Sequence, residues 1–380
     1  MKVALVLDDS LDRPDGVQQY VLSVGRYLSS VGHDVHYVCS SATRTDLGQQ
    51  LHSLVGNFHV TFNGNGLSIP RVASRRVLRE FVERERFDVL HIQTPHSPLF
   101  SARLVRQARR VQGRAVTIVG TFHILPNGRI AALGTRLLGL ALRKNLRAFD
   151  RFCAVSAPAS EFARRVFRID ATVIGIPISV GLLAAAGAKA RASRAGSKRL
   201  HLAFLGRLVQ RKGVLEFVDA VAALAPGVRD RVRVTIGGRG PLAADIEGAI
   251  EEHGLQEIVE MPGFVPEEDK AAFYASADIA VFPATGGESF GIVLTEAMAS
   301  GSGVVVGGDN PGYRSVLGDS PDVLVDPGDT AAFAAMLSRL IEEPSLRASL
   351  RAEQETRVRQ FDVAVVGPRI EALYGASRAG

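Results

Sequence analysis

Tryptophan is absent from this 380-residue chain, cysteine occurs twice and lysine six times. Cys39 and Cys153 are too few and too far apart for a disulfide framework, and they fit a reducing compartment. There is no C-x-x-C and no histidine cluster at ligand spacing, so no metal site is expected. No apolar run approaches the roughly 20 residues that cross a bilayer as a helix. The opening stretch MKVALVLDD reaches acids too soon for a secretory leader. The expected location is therefore the cytoplasm, either free or peripheral at the inner face of the membrane. What is present is a globular composition, 46% hydrophobic with 38 glycines, long enough for two α/β domains.

Charge is uneven. Residues 1–180 hold 24 Lys+Arg against 13 Asp+Glu, net +11, while residues 181–380 hold 21 against 26, net −5. The first half is the candidate for an anionic partner, with a membrane surface favoured over nucleic acid. No helix-turn-helix, zinc finger or RNP signature accompanies the basic residues. Arg103, Arg106, Arg109, Arg110 and Arg114 cluster in sequence. Along 129–151 a wheel places Arg136, Arg143, Lys144, Arg147 and Arg151 opposite Leu138, Leu142, Leu146 and Phe149. Such a segment is either a core-packed helix or an interfacial one.

The chain is organised around residues 278–299. Asp278-Ile279-Ala280-Val281-Phe282 reads as a buried parallel strand stopped by Pro283. A glycine-bearing loop follows, then a helix through Glu296-Ala297-Met298-Ala299. A helix start offers unpaired N–H groups and the positive end of the dipole, which suits a phosphate. Glu288 falls in the loop, and Glu296 lies eight residues on, about two turns into the helix at ~3.6 residues per turn. These residues alone fit a ligand site or a plain helix N-terminus equally well.

The run GGESFGIVLTEAMASG, with its Glu-x7-Glu, resembles the signature of retaining glycosyltransferases of family 4. The resemblance implies the GT-B architecture: two Rossmann-like domains with parallel sheets facing a cleft, and a last helix crossing back to the first domain. The domains expected are 1–180, with 362–380 as the crossing helix, and 199–361 for the nucleotide sugar. The stretch 181–198, rich in Ala, Gly, Ser and basic residues, is expected to be a linker.

In the first half, Val3–Leu7 reads as a strand, Gly16–Ser30 as a helix and Gly32–Val38 as a second strand, a βαβ opening without a full G-x-G-x-x-G. Pro14-Asp15-Gly16-Val17-Gln18 resembles the family's glycine loop over the donor diphosphate, with Asp15 replacing one glycine. Arg75–Arg86 reads as a charged helix with a solvated face. Phe87–Ile92 is a buried strand, and His96 lies in the loop beyond it. Ala115–Val119 is another, with Gly120-Thr121-Phe122-His123 at its end. A lone loop histidine is usually incidental, and a strand-end histidine often only packs. The family has a Thr-Phe-His here, which assigns His123 to the sugar being transferred. Asp9, Gln18 and His96 are the expected acceptor side. Phe152–Ser156 is the last strand, and Ser156 caps the next helix.

In the second half, Leu200–Leu205 begins a new βα pattern. Gly206-Arg207-Leu208-Val209-Gln210-Arg211-Lys212-Gly213 resembles the family's Gly-Arg…Lys-Gly motif, although a solvated basic turn would read the same. Arg207 and Lys212 would neutralise a leaving nucleoside diphosphate without a metal. The strand at Ile258–Pro262 leads to Phe264 and Val265; in the family the backbone here faces the nucleotide base, so the resemblance makes these two candidates for contacts to the base. The resemblance assigns Gly16, Ser289, Phe290, Gly291, Ile292 and Val293 to the donor phosphates. It assigns Glu296 to ribose and Glu288 to the sugar hydroxyls, and names His123, Glu288, Arg207 and Lys212 as the catalytic group.

No enzymic nucleophile is evident. The family chemistry is same-face attack by the acceptor, with the departing phosphate as base. Within the family, Gln18, Thr121-Phe122-His123 and the Gly286–Met298 block resemble the members that mannosylate phosphatidylinositol. The expected reaction moves a hexose, with GDP-mannose favoured, to a lipid-linked or polyol acceptor such as phosphatidylinositol. No cofactor is required beyond the nucleotide sugar. A UDP-sugar enzyme with a soluble or polysaccharide acceptor is the alternative. An epimerase or hydrolase, or a silent membrane-associated scaffold, are readings from other classes; a scaffold has no need of Glu288, Arg207 and Lys212 together.

Overall fold

The computed structural model describes residues 1–12, 15–62, 65–70, 73–123, 145–194 and 199–375. The chain divides into a first unit, 1–177 plus 363–380, and a second unit, 178–362.

The first unit is built on β1 (Lys2–Leu7), β2 (Asp34–Cys39), β3 (Leu51–Ser53), β4 (Asn57–Phe62), β5 (Asn65–Pro70), β6 (Val89–Gln93), β7 (Thr117–Phe122), β8 (Arg151–Ala154) and β9 (Thr172–Val173). Seven of these form a parallel sheet in the order β3-β2-β1-β6-β7-β8-β9, and β4 and β5 pair as a separate antiparallel hairpin. Val3 to Leu7 and the whole of β7 are buried, the apolar run expected of strands covered on both faces. The helix after β1 spans Gly16–Ser30, as the sequence predicts.

Helix Arg75–Glu85 buries Leu78, Phe81 and Val82. Its outer face carries the i,i+4 pairs Arg76–Glu80 at 2.7 Å and Arg79–Glu83 at 3.1 Å. That is the solvated face expected, and such exposed pairs each contribute under about 1 kcal/mol. Ser156 caps the helix Ala157–Phe162 by accepting from Ala159 N at 3.2 Å, also as expected. The basic arc at Arg136, Arg143 and Lys144 lies outside the described residues.

The final helix, Val363–Gly375, belongs to the first unit. Tyr374 Oη lies 2.7 Å from His91 Nδ1. Glu371 accepts from Tyr27 Oη at 3.1 Å and pairs with His33 Nε2 at 2.9 Å. Arg151 donates to the Ala372 and Leu373 carbonyls at 3.3 and 3.1 Å. The crossing helix expected at the end of the chain is thus docked.

The second unit holds β10 (Leu200–Leu205), β11 (Val232–Gly237), β12 (Val259–Gly263), β13 (Ile279–Phe282), β14 (Val304–Gly308) and β15 (Leu324–Val325). They form one parallel sheet in the order β12-β11-β10-β13-β14-β15. Where the chain enters and leaves this unit, Ile178 bridges Asp362 and its N–H donates to the Phe361 carbonyl at 3.0 Å.

The expected linker corrects to a helix, Val180–Arg194, packed within the second unit. Small residues let it approach closely: a Cβ on Gly187 would sit 2.3 Å from the Ser300 carbonyl oxygen and 2.8 Å from Ala275 Cβ. Arg191 donates to that same carbonyl at 2.7 Å. An Ala/Gly-rich run reads as a flexible tether in sequence, yet alanine is the best helix former and a glycine permits intimate packing.

Strand order reverses between β1 and β6 in the first unit and between β10 and β13 in the second. Ligands of doubly wound sheets bind at the carboxyl ends of strands flanking such a reversal.

Candidate active site

In the second unit, both strands at the reversal end in the loops singled out from the sequence. After β10 the chain runs through Gly206 and the exposed Arg207 to a 3₁₀ turn, Gln210–Lys212. Gly213 follows with φ 69°, and a Cβ there would lie 1.8 Å from the Pro283 carbonyl oxygen just past β13. Only glycine permits that approach. The Thr285 N–H donates to the Arg211 carbonyl at 3.0 Å, which ties the two loops together.

The result is a compact charge cluster. Lys212 Nζ donates to Glu288 Oε1 at 2.8 Å, and Arg211 donates to the same oxygen at 2.6 Å. The Lys212 and Glu288 side chains are each 14% exposed. Burial raises the Glu288 carboxyl, but Lys212 and Arg211 outweigh it and hold the group below the usual carboxylate range. Burial lowers the Lys212 ammonium, Glu288 opposes this, and Arg211 and Arg207 push it lower still. Two cations thus hold one carboxylate, and Arg207 is close enough to act on Lys212.

Gly213→Ala is expected to loosen this cluster. A left-handed backbone and a clash with Pro283 together cost about 3 kcal/mol or more. The check is a lowered urea midpoint for the second unit.

The helix after β13 begins at Ile292, with Gly291 preceding it at φ 103°. Glu296 is therefore just over one turn into the helix, less than the two turns expected. Its carboxylate is buried and accepts from Tyr274 Oη at 3.5 Å. The N–H groups that open this helix have no partner within it. The Phe290 side chain, expected at the donor, is instead buried and packs edge-on against Phe361 with ring centroids 5.2 Å apart. Only its backbone is left for a ligand, while Ser289, Ile292 and Val293 stay partly open. At the end of β12, Phe264 is 53% exposed with the Arg239 guanidinium 5.4 Å above its ring. Val265, the next residue, is buried.

In the first unit, Asp9 lies just beyond β1. Its carboxylate accepts from Ser10 N at 2.7 Å and from Gln18 Nε2 at 3.4 Å, and Gln18 Nε2 also donates to the Ser10 carbonyl at 3.1 Å. Asp9 and Gln18 are thus together beside Gly16, the first residue of its helix. The neighbouring Asp8 anchors the helix Phe100–Val111, accepting from Ser101 N at 2.8 Å and Ser101 Oγ at 2.7 Å.

His123 is the first residue past β7. Its Nε2 lies 2.7 Å from Gln93 Oε1 at the end of β6, and the Tyr20 ring meets it edge-on at 4.8 Å. Gln93 Nε2 donates to the His91 carbonyl, which leaves Oε1 as acceptor and assigns the proton of His123 to Nε2. Burial, with the nearby His91 and His96, lowers the His123 imidazole to about 3. The ring is therefore neutral, with its lone pair on Nδ1.

His96, expected on the acceptor side, sits among aromatic rings, and its Nδ1 has no hydrogen-bond partner among the described residues. Its ring stacks on Phe122 with centroids 5.7 Å apart, and Phe162 and Phe167 flank it at 5.9 and 5.5 Å.

Sequence reasoning missed Arg211, Gln93 and Tyr20 as site residues. Arg211 stood within the basic motif, beside the lysine the family pattern singled out. Gln93 and Tyr20 gave no signal, because their roles arise from pairing across the fold.

Residues 14–180 match the family described as Glycosyltransferase Family 4, and residues 188–357 match Glycosyl transferases group 1. The chain is 32% identical to the phosphatidyl-myo-inositol mannosyltransferase of Mycobacterium leprae, covering 98% of this chain and 96% of that one. It is 31% identical to the enzyme of the same name from Mycolicibacterium smegmatis, covering 98% and 93%. Among solved structures, Anabaena HepE in complex with UDP and glucose superposes with TM-score 0.74 over 98% of both chains, at 18% identity. Fold and family matches together define a glycosyltransferase of the GT-B class, an enzyme that draws its sugar from a nucleotide-sugar donor. More narrowly, the chain belongs to glycosyltransferase family 4.

Proposed function

We propose that this enzyme transfers mannose, with retention of configuration, from GDP-mannose to a phosphatidylinositol-type lipid. The observation that carries the reading is the likeness to phosphatidyl-myo-inositol mannosyltransferases over nearly the whole of both chains.

The proposal assigns the donor diphosphate to Arg207, Lys212 and the amides of Gly291–Val293. As the bond from the sugar's anomeric carbon to phosphate breaks, negative charge grows on the leaving oxygen. Cations already in place stabilise it without reorganising. The acceptor oxygen bonds to the same face of that carbon, and its proton passes to the departing phosphate. No metal is needed for this step in the proposal. Glu288 holds the sugar hydroxyls while Lys212 and Arg211 keep it ionised. Glu296 holds the ribose, and Phe264 and Val265 flank the base. His123 positions the sugar and turns its Nδ1 lone pair toward the positive charge that develops there. Asp9 and Gln18 take the acceptor.

A peripheral location at the inner membrane face belongs to the same proposal. A cavity of about 290 Å³ lined by Arg75, Arg103, Arg106, Gln107 and Arg110 supports it. No ion pair joins those four arginines to an acid among the described residues. No described helix is long and apolar enough to cross a membrane.

The test is thermal stabilisation by GDP, UDP and ADP, each with and without Mg²⁺, followed by transfer to phosphatidylinositol in vesicles. A nucleotide at ~100 times its dissociation constant adds about 2.7 kcal/mol. Stabilisation by GDP alone, independent of Mg²⁺, is expected. Stabilisation by UDP alone discards the mannose donor and leaves the enzyme class. Hydrolysis of the donor that proceeds equally without acceptor discards transfer.

A further inference from the structure

Beyond the sugar-transfer site, His36, His52 and Glu85 come together from three separate elements of the first unit: β2, the edge strand β3 and the last turn of helix Arg75–Glu85. One candidate ligand atom from each lies within 4.8 Å of the others. His36 Nδ1 and His52 Nε2 are 2.8 Å apart, and the rings stack with centroids 5.0 Å apart and planes 18° from parallel. We propose that these three side chains form a binding site for a divalent transition-metal ion of the zinc class, with water completing a tetrahedral set.

The donor set suits such an ion. Two imidazoles and a carboxylate are ordinary zinc ligands, with nitrogen at about 2.0–2.1 Å. Tetrahedral angles at that distance place two nitrogens about 3.3 Å apart, so the rings need open by only about 0.5 Å.

The surroundings also fit. Asp34 Oδ1 lies 3.2 Å from His36 Nε2, on the other side of the ring. A carboxylate there holds the proton on Nε2, turns the Nδ1 lone pair toward His52 and makes that nitrogen a better ligand. Phe87 meets the His36 ring edge-on at 5.3 Å, and Phe81 meets His52 at 5.1 Å, an apolar wall around the pair. With the His36 Nδ1 lone pair facing it at 2.8 Å, His52 Nε2 carries a proton in the empty site; an arriving ion displaces that proton, which moves to His52 Nδ1 or to solvent and leaves the Nε2 lone pair for the metal. Lys2 and Arg84 each donate to one Glu85 oxygen at 2.8 Å, which orients the carboxylate. Each oxygen keeps a second lone pair, and an arriving cation competes with Lys2 for it.

The cluster is separate from the transfer chemistry. Asp34 and Lys2 open their strands and Glu85 precedes β6, whereas Asp9, Gln93 and His123 lie at carboxyl ends. A bound ion would fasten the three-residue β3 to the sheet and to the helix over it.

The experiment is a titration of chelator-treated full-length protein with Co²⁺ and then Zn²⁺. The expected result is one equivalent of Co²⁺ giving the intense visible absorption of a tetrahedral site, displaced by Zn²⁺, with a rise in melting temperature that Mg²⁺ does not reproduce. His52→Gln should weaken binding 100-fold or more, Asp34→Asn about 10-fold, and His253→Gln in the second unit not at all. Glu85→Gln gives a second reading that does not depend on the His52 variant folding, and the same loss is expected. Absence of the absorption band overturns the proposal, as does a band that persists at wild-type affinity in the His52 or Glu85 variant.

Discussion

Lys212→Ala is expected to slow sugar transfer by about 10²–10³-fold, the loss that follows removal of one preorganised charge from a developing anion. The reason lies in where the ammonium is held. It is nearly enclosed, fixed by Glu288 at 2.8 Å, and set by the tight turn at Gly213. In such a site a fixed charge acts at a lower effective dielectric than in water. The ground state already carries two phosphate charges, so nucleotide affinity should fall less than kcat. Folding should suffer little, because Arg211 still reaches Glu288 Oε1 at 2.6 Å. Lys212→Arg should not restore full rate, since a planar fork does not replace a point charge in this space. The checks are single-turnover rates with saturating donor, nucleotide affinity by calorimetry, and a urea curve. A rate within tenfold of wild type would remove Lys212 from the chemistry.

Acid should unfold the first unit before the second. His91 and His123 are pushed down to about 3 and His96 to about 4, each chiefly by burial. In the unfolded chain each titrates near ~6.5. Folded pKa values below unfolded ones mean that the unfolded state binds more protons in between. Stability from these rings is therefore complete above about pH 6.5, is lost as pH falls, and bottoms out only near the folded values. Each ring contributes a slope of about 1.4 kcal/mol per pH unit, so three give about 4 near pH 5. In the second unit Glu288 is depressed instead, and what it contributes is lost only below the ~4.3 of a free glutamate. Hydrogen exchange between pH 7 and 5 should show β1, β6 and β7 losing protection while β10, β13 and β14 keep theirs. Equal loss in both units would contradict this account. With no tryptophan in the chain, exchange separates the units better than fluorescence.

The alternation of apolar runs with helical stretches made the doubly wound sheets legible, since parallel strands buried on both faces leave continuous hydrophobic signatures. Boundaries shifted by up to three residues: β7 runs to Phe122, past the Val119 expected, because Gly120 and Thr121 continue its pairing with β6 and β8. The carboxylate of Glu288 and the cation of Lys212 stood out in sequence. Their direct contact did not, because 76 residues separate them and only the meeting of the β10 and β13 loops closes that distance. The place of His96 beyond β6 was visible in the sequence, and the phenylalanines around it were not. The helix Val180–Arg194 misled because small residues signal looseness in a sequence and close packing in a fold. The histidine pair at 36 and 52 was hidden by spacing: sixteen residues apart, it exists only because β3 returns beside β2.

The second unit is an uninterrupted insertion of residues 178–362 into the first. Synthesis runs from one end, so every one of those residues is made before the segment that completes the first unit. At ~5–20 residues per second, the 185 residues from 178 to 362 take about 10–40 seconds. The second unit can finish within that window, clasped at its neck by Ile178 and Phe361. Throughout it, the nascent first unit waits without its last helix, and His91 without the hydroxyl of Tyr374. Until then the buried face of that helix, with Val366, Ile370, Leu373 and Tyr374, is missing, so a ribosome stalled before residue 363 would leave the seat of the helix uncovered and Tyr27, His33 and Arg151 without the partners it brings.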